Sequence, residues 1–471
     1  MNRKIYVAVF IIIISMPLIG MLWYQTDMTV EKRHARAFPS IWKEEKLNVE
    51  FFTELTDYFA DNFAFRQELA TVDAVIKTSL FHVSNNEKVI VGEDGWLYLG
   101  ETKEDYLGRN TMSGRGIYNC AKVLNLLQEE AGKQGCQFLF VPVPNKNSLY
   151  PEYMPEWYMK QSTENNYSQL VKELGKQKVA FIDLKKEFSK KDNVLYHKLD
   201  THWNNEGAAF AGGQILESLK KEHTDYTNEN YRVVNNFSGD LWGMLYPQWK
   251  KLDADIIYDR EHIFEYCNDV NTTEDMFIET KSQKDGSLVM FRDSFGNALL
   301  PFLADEYGEA YFTKAVPYNW NLLEQYGADT VVIELTERHI PSLQQEIPVM
   351  QGPERKLKGT MERISQSNTT LNIRKTENQY ILYGMMDASY VEDNFDVFIK
   401  VIRDGKESIY EAFPAVYEMD GSEENQDYQY GIYLDENVIG TENCKLEVIT
   451  GRSGKYYILK DCLIYKGEKG E

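Results

Sequence analysis

Between about residues 115 and 345, short and nearly unbroken apolar runs alternate with stretches of helical periodicity. This alternation restricts the fold more than any other feature of the chain. The runs are "QFLFVPVP" (137–144), "VAFIDL" (179–184), "SLVMFRDS" (287–294), "EAYFTKAV" (309–316) and "TVVIEL" (330–335). They lack the in-out polar alternation of a half-exposed strand, as strands buried on both faces do. Segments 116–132, 164–177, 204–221, 295–307 and 319–326 lie between or beside them and have the spacing of amphipathic helices. The expected class is therefore α/β, a parallel sheet with flanking helices. The stretch 223–286 interrupts the pattern with polar, aromatic-rich sequence and reads as an insertion near the strand ends, where substrate grooves are shaped.

The flanks differ in kind. "IYVAVFIIIISMPLIGMLWY" (5–24) is uncharged and long enough to cross a hydrocarbon core of roughly 30 Å, with Arg3 and Lys4 just before it. No small-x-small cleavage site follows, so residues 1–29 read as an uncleaved transmembrane signal-anchor, with the chain from residue 30 outside the cytoplasm. "FFTELTDYFADNFAFR" (51–66) has the spacing of one amphipathic helix, and "VIVGEDGWLYLG" (89–100) that of a hairpin lid. Runs at 380–386, 395–413, 428–434, 445–450 and 456–465, with a turn at Asp404-Gly405, predict a C-terminal β-sandwich that binds carbohydrate or braces its neighbour. The expected domains are thus 1–29, 30–350 and 351–471. A formal charge of −22 argues against a nucleic-acid partner. Five scattered cysteines supply no metal motif, and no cofactor is expected; Cys444 and Cys462 on neighbouring strands fit a disulfide or free buried thiols equally.

Serine-dependent acyl transfer needs a nucleophile, a base, a group that orients the base, and donors for an oxyanion. Ser294 ends one apolar run and precedes "FGNALLPFL", a helix start, so it belongs to a strand-to-helix turn at the carboxyl edge of the sheet. The free N–H groups of that helix face it, and Asn297 adds a donor one turn on. In "KLDTHWNNEG" (198–207), Asp200 and His202 leave an extended segment on the same side, so the carboxylate fixes the imidazole tautomer. Thr201 faces away, Trp203 closes the pair off, and Asn204 or Asn205 caps the next helix. Alone, Ser294 reads first as a helix cap and the Asp-x-His pair as structural residues; it is their convergence on one edge that suggests a triad. Lys146, Asn147 and Tyr150 follow the strand at 137–144 to the same edge, as binders of sugar hydroxyls or as solvated loop. Trp242 and Tyr246 are candidates to stack on a sugar face, although core packing is the other reading of Trp242.

Four stretches carry a family resemblance: "FFTELTDYFADNFAFR", the "GEDGWLYLG" hairpin, "VPVPNKNSLYPEYMP" (141–155) with "KLDTHWNNEG", and "RDSFGNALLPFL" (292–303). In order and spacing, from the anchor to about residue 345, the chain resembles the DHHW and alginate O-acetyltransferase group. The catalytic domain of that group is similar to SGNH hydrolases with the triad in an altered chain order. The resemblance implies Ser294 as nucleophile, His202 as general base and acid, and Asp200 as its orienting carboxylate. It departs from the group at Arg292, where many relatives have glycine, which bears on the oxyanion geometry. The second Asp-His-His-Trp position is Thr201 here, which alginate-type members also tolerate.

The resulting expectation is an extracytoplasmic O-acetyltransferase that moves an acetyl group through an acyl-serine to polysaccharide hydroxyls. By resemblance, a membrane-bound O-acyltransferase partner supplies the acetyl group. The alternatives are a carbohydrate acetylesterase with the same triad and a non-catalytic glycan-binding scaffold. The acidic balance favours a neutral or amino-containing acceptor over an anionic one.

Overall fold

The structure, a computed structural model, describes residues 3–21, 23–24, 36–43, 45–376, 379–392, 394–417, 426–440, 444–452 and 454–464. The expected end of the anchor near residue 29 lies outside them. Helix α1, Arg3–Gly20, is the one helix among the described residues that is long and apolar enough to cross a membrane. Where the sequence predicts one helix over 51–66 there are two, α2 (Phe51–Asn62) and α3 (Arg66–Phe81). Phe65 between them takes a left-handed conformation, φ 60°, which no α-helix continues through. The hairpin forms as expected from β1 (Val89–Val91) and β2 (Leu97–Leu99). It is fixed to the body instead of poised over it: Trp96 and Tyr98 are fully buried, and the Leu97 N–H donates to the Lys198 carbonyl at 2.9 Å.

The body begins with helix α4 (Gly114–Lys133), strand β3 (Gln137–Val143), α5 (Asn166–Gln177) and α6 (Asn205–Ser218). It continues through β4 (Tyr231–Phe237), α7 (Asp240–Leu245), β5 (Asp253–Tyr258), β6 (Glu265–Tyr266) and β7 (Phe277–Lys281). It ends with β8 (Ser287–Phe291), α8 (Gly296–Ala304), β9 (Glu309–Thr313) and β10 (Thr330–Thr336). The central sheet runs β3-β10-β8-β9-β7-β6; the first four strands are parallel, β7 is antiparallel to β9 and β6 to β7. Register explains the unbroken apolar runs. Leu139, Val332, Met290 and Phe312 form one cross-strand row on the face packed by α6 and α8, whereas Phe140, Ile333 and Phe291 form a row on the opposite face, packed by α4 and α5. Both faces are covered, so successive residues are all apolar.

Three expectations change. The run 179–184 is not a sheet strand; it touches the free edge of β3 through a single bridge, Phe140 to Phe181. The segment 319–326 holds only one helical turn, Leu322–Gln325. The insertion ends inside the sheet, because β7 pairs with β9 along its whole length and Ile278 is fully buried there.

The C-terminal region is sheet-rich. A five-stranded sheet (361–363, 397–403, 406–412, 444–452, 455–464) and a three-stranded sheet (372–375, 379–385, 429–435) share an apolar core that includes Leu382, Ile432, Ile399 and Val448. Asp404 and Gly405, both with positive φ, make the expected tight hairpin turn. The region is joined to α4 by ion pairs: Lys122 meets Glu411 at 2.6 Å and Asp396 at 2.9 Å, and Arg355 bridges Glu129 and Glu411. All five cysteines are free. The register places Cys462 opposite Leu446 and Cys444 opposite Ile464, two residues out of step for a bridge.

Candidate active site

The carboxyl ends of β3, β8 and β10 lie at one edge because these strands are parallel neighbours, and the loops leaving that edge build the site. Ser294 stands in the turn between β8 and α8. Asp200 and His202 lie in the loop before α6, whose N-cap is Asn204, its side chain accepting from the Gly207 N–H at 2.9 Å. The fold brings the two loops together. His202 Nδ1 lies 2.7 Å from Asp200 Oδ1, and His202 Nε2 lies 2.8 Å from Ser294 Oγ. A carboxylate only accepts, so Nδ1 carries the proton and Nε2 of the neutral ring accepts from the serine hydroxyl.

The Asp-His pairing arises from a tight turn and not from an extended segment: Asp200 Oδ1 also accepts from the His202 N–H at 2.8 Å. Thr201, expected to face away, is bound to Asp240, which accepts from its N–H and its hydroxyl at 2.9 Å each. Trp203 is buried, and its Nε1–H donates to the Phe295 carbonyl at 3.1 Å, which ties the histidine loop to the serine turn.

Electrostatics follow from burial and partners. Burial opposes charge on His202, but the hydrogen bond to Asp200 and its charge, with Asp240 behind it, outweigh burial and raise the imidazole pKa above its ordinary value; Arg338 pulls the other way. For Asp200, burial is likewise overcome, by the bond to and charge of His202 and by the N–H groups of Asp240 and His202, and the carboxyl is held well below its usual range. Burial and then the Asp200 charge push Asp240 up to about 6.

Sequence reasoning passed over Asp240, whose N–H donates to Asp200 Oδ2 at 2.7 Å. The signal available was Gly239: a β-carbon there would sit 2.2 Å from the Leu199 carbonyl oxygen, so only glycine lets the insertion approach the Asp200 loop this closely. Asp200, His202 and Asp240 each present a metal-ligand atom within 4.8 Å of the others. The imidazole nitrogen facing the carboxylates is the protonated one, however, and has no lone pair to offer a metal. Asp293 and its partners were also missed. Asp293 accepts from the Phe295 N–H (2.9 Å), the Thr336 N–H (3.0 Å) and His339 Nδ1 (3.2 Å), locking the serine turn to the end of β10. Burial acts against its charge, but the bond from His339, the Arg338 charge and these donors hold its pKa well below the usual range.

Several expected substrate contacts are corrected. Lys146 and Asn147 are buried rather than open to a sugar. Lys146 Nζ donates to the carbonyls of His197 (2.7 Å), Lys198 (3.0 Å) and Asp200 (2.7 Å), which uses all three of its protons. Burial pushes its pKa down to about 7 against the pull of Asp200, Asp240 and Asp253. Asn147 donates to Thr102 Oγ1 at 2.8 Å, and the Tyr150 hydroxyl accepts from the Leu195 N–H at 2.8 Å. All three brace the loops under the triad. Arg292 is buried, donates to the Thr273 (2.9 Å) and Asp275 (3.1 Å) carbonyls, and bonds Asn297 Oδ1, so the oxygen of the Asn297 carboxamide is already engaged. Trp242 packs with Tyr246 (ring centroids 4.3 Å apart) against the apolar cluster beneath β1 and β2, with the exposed Trp249 ring at its edge, so it is a packing residue. Lys146→Met is expected to lower stability by about 3 kcal/mol or more, because three carbonyls lose their shared donor. Chemical denaturation checks this, and an unchanged midpoint would refute the bracing role.

Residues 89–277 match the family model described as an SGNH hydrolase-like domain of the acetyltransferase AlgX. This stretch is similar to an SGNH hydrolase-like domain. The resemblance read from the sequence is borne out. Over 181 residues the chain is 25% identical to a probable alginate O-acetylase AlgJ of Pseudomonas syringae pv. tomato, covering 37% of this chain and 44% of that one. The match thus spans less than half the length of that curated relative. Among solved structures, PatB1 of Bacillus cereus is 15% identical, with 54% of this chain and 96% of that one covered and a TM-score of 0.43. A DHHW family protein from Eubacterium siraeum is 16% identical, with 54% and 94% covered and a TM-score of 0.40.

Proposed function

We propose that the protein is a membrane-anchored, extracytoplasmic O-acetyltransferase acting on a polysaccharide. The observation that carries this reading is the continuous hydrogen-bonded line from Asp200 through His202 to Ser294, at 2.7 and 2.8 Å. His202 takes the Ser294 proton as Oγ attacks the acetyl carbonyl, and the imidazolium, paired with Asp200, then returns it to the leaving group. The acyl-serine is attacked by a sugar hydroxyl, which His202 deprotonates in turn. Because the Phe295 N–H is already given to Asp293, the oxyanion donors in this reading are the Ser294 N–H and the Asn297 amide. Relatives named as alginate O-acetylases support the polysaccharide acceptor, and a membrane-bound O-acyltransferase fits the donor because α1 holds the domain at a membrane. We read the two C-terminal sheets as the expected β-sandwich, bracing the catalytic domain through the Lys122 and Arg355 ion pairs.

The test is the intact mass of the full chain after exposure to p-nitrophenyl acetate, followed by an oligosaccharide panel. A single acetyl adduct discharged onto a sugar is expected. Discharge to water alone, with sugars present, makes the protein an esterase, and the absence of any adduct overturns the acyl-serine mechanism.

A pH profile gives a second check. Since the base must be neutral, acylation is expected to rise with pH through a pKa above the ordinary imidazole value. The Arg338 guanidinium lies 5.7 Å from the centroid of Phe295, whose ring also packs on His202 at 4.7 Å. Arg338→Gln removes a cation that opposes imidazolium, so the rising limb is expected to move to higher pH. A shift to lower pH would contradict this assignment.

A further inference from the structure

Helix α3 is turned inside out for a helix at a water-facing surface. With 3.6 residues per turn, Gln67, Thr71, Ala74 and Thr78 share one face, and Leu69, Val72, Ile76 and Leu80 share the opposite one. The polar face is the one packed on the body. Gln67 Oε1 accepts from Gln248 Nε2 at 2.6 Å, Thr71 Oγ1 from the Gln248 N–H at 3.1 Å, and Thr78 Oγ1 from the Tyr246 hydroxyl at 2.8 Å. The apolar face is open: Leu69 is 44%, Val72 56%, Ile76 48% and Leu80 69% exposed. The segment before it adds Trp42, Val49 and Phe52, all more than half exposed. An apolar face of this extent marks a surface that meets something other than water.

Its position says what. At the end of α1, Gly20 is in close contact with the α2–α3 junction: a β-carbon there would lie 2.7 Å from the Phe65 ring and 2.8 Å from Ala64 Cβ. The Tyr24 ring lies 4.8 Å from that of Phe65, and its hydroxyl donates to Glu68 in the first turn of α3. The chain therefore passes from α1 directly onto the start of α3. Ion pairs occupy the flanks of the exposed region, Lys77 with Asp73 at 3.0 Å and Lys43 with Glu54, so the face offers apolar side chains and paired charge, not one sign of field.

We infer that the exposed face of α3 lies in the interfacial layer of the membrane that α1 crosses, so that its partner is a lipid surface. This rests on the proposed reading of α1 as a membrane span. An amphipathic helix with exposed leucine, isoleucine and an aromatic neighbour is suited to that layer. The consequence is positional. α3 packs on α7, whose first residue, Asp240, donates its N–H to Asp200, so one helix separates the lipid surface from the catalytic dyad.

The experiment uses the full chain in vesicles of phosphatidylethanolamine and phosphatidylglycerol, with a specific protease site placed between Tyr24 and Arg36. It compares the unsubstituted face with a variant carrying Leu69→Gln, Val72→Gln, Ile76→Gln and Leu80→Gln. After cleavage, the body with the native face is expected to float with the vesicles, and the variant to be released about tenfold more or better. Equal retention of both would assign the residual contact to Tyr24 and Phe65 and overturn the inference. So would release of both, or retention of the native face in native membranes alone, which would point to a protein partner. Uncut protein that fails to float would instead refute the membrane reading of α1. The variant's melting temperature should match that of the unsubstituted protein, because the four side chains face outward.

Discussion

Ser294→Ala is expected to eliminate the acetyl adduct and to lower turnover of an activated ester by about 10⁴-fold or more. The reason is chemical: Ser294 Oγ is the atom that His202 Nε2 meets at 2.8 Å, and no second hydroxyl among the described residues is bonded to this nitrogen. The serine side chain is half-buried and neither caps α8 nor joins the Asp293 network, so its loss should change stability by no more than about 1 kcal/mol. Intact mass and thermal melting, measured on the same preparation, separate the two effects. An adduct that forms on Ser294→Ala at the original rate would refute the nucleophile assignment. A variant that loses the adduct because it unfolds would show a displaced melting transition.

Asp200→Asn should lower the acylation rate by about 10⁴-fold while leaving the fold intact. Asp200 accepts from three N–H donors, Nδ1 and the backbone of His202 on Oδ1 and the Asp240 backbone on Oδ2. An asparagine offers one acceptor and one donor end. Turned with its oxygen toward His202, it sets its amide hydrogens against the Asp240 N–H; turned the other way, it drives the proton from Nδ1 to Nε2, and Nε2–H cannot accept from Ser294. Either outcome also removes the charge that raises the His202 pKa, so the rising limb of the pH profile should move down even as the maximum collapses. Single-turnover acylation across pH measures both. A rate within tenfold of the unsubstituted protein, with the limb unmoved, would remove Asp200 from the mechanism.

The sequence carried the α/β class and the triad candidates because both are locally encoded. Burial on two faces leaves unbroken apolar runs, and a serine after such a run or an Asp-x-His before a capping asparagine is visible within ten residues. The run at 179–184 looked like a strand because apolar length alone cannot tell a sheet member from a segment that touches the sheet edge once.

What the sequence alone could not decide was where loops distant in the chain meet. Ser294 lies 92 positions from His202, and Asp240 lies 40 from Asp200; only the parallel order of β3, β10 and β8, and a glycine that lets the insertion approach, bring them into contact. Lys146 read as a surface donor because its type is usually exposed, yet three carbonyls converge on it inside the fold. The orientation of α3 was equally beyond local reading. Periodicity separates its two faces, but only the partners supplied by Gln248 and Tyr246 turn the polar face inward and leave the apolar one outside. Composition and spacing thus determined which groups the protein has, and tertiary packing decided which of them are satisfied by one another and which are left to meet a substrate or a membrane.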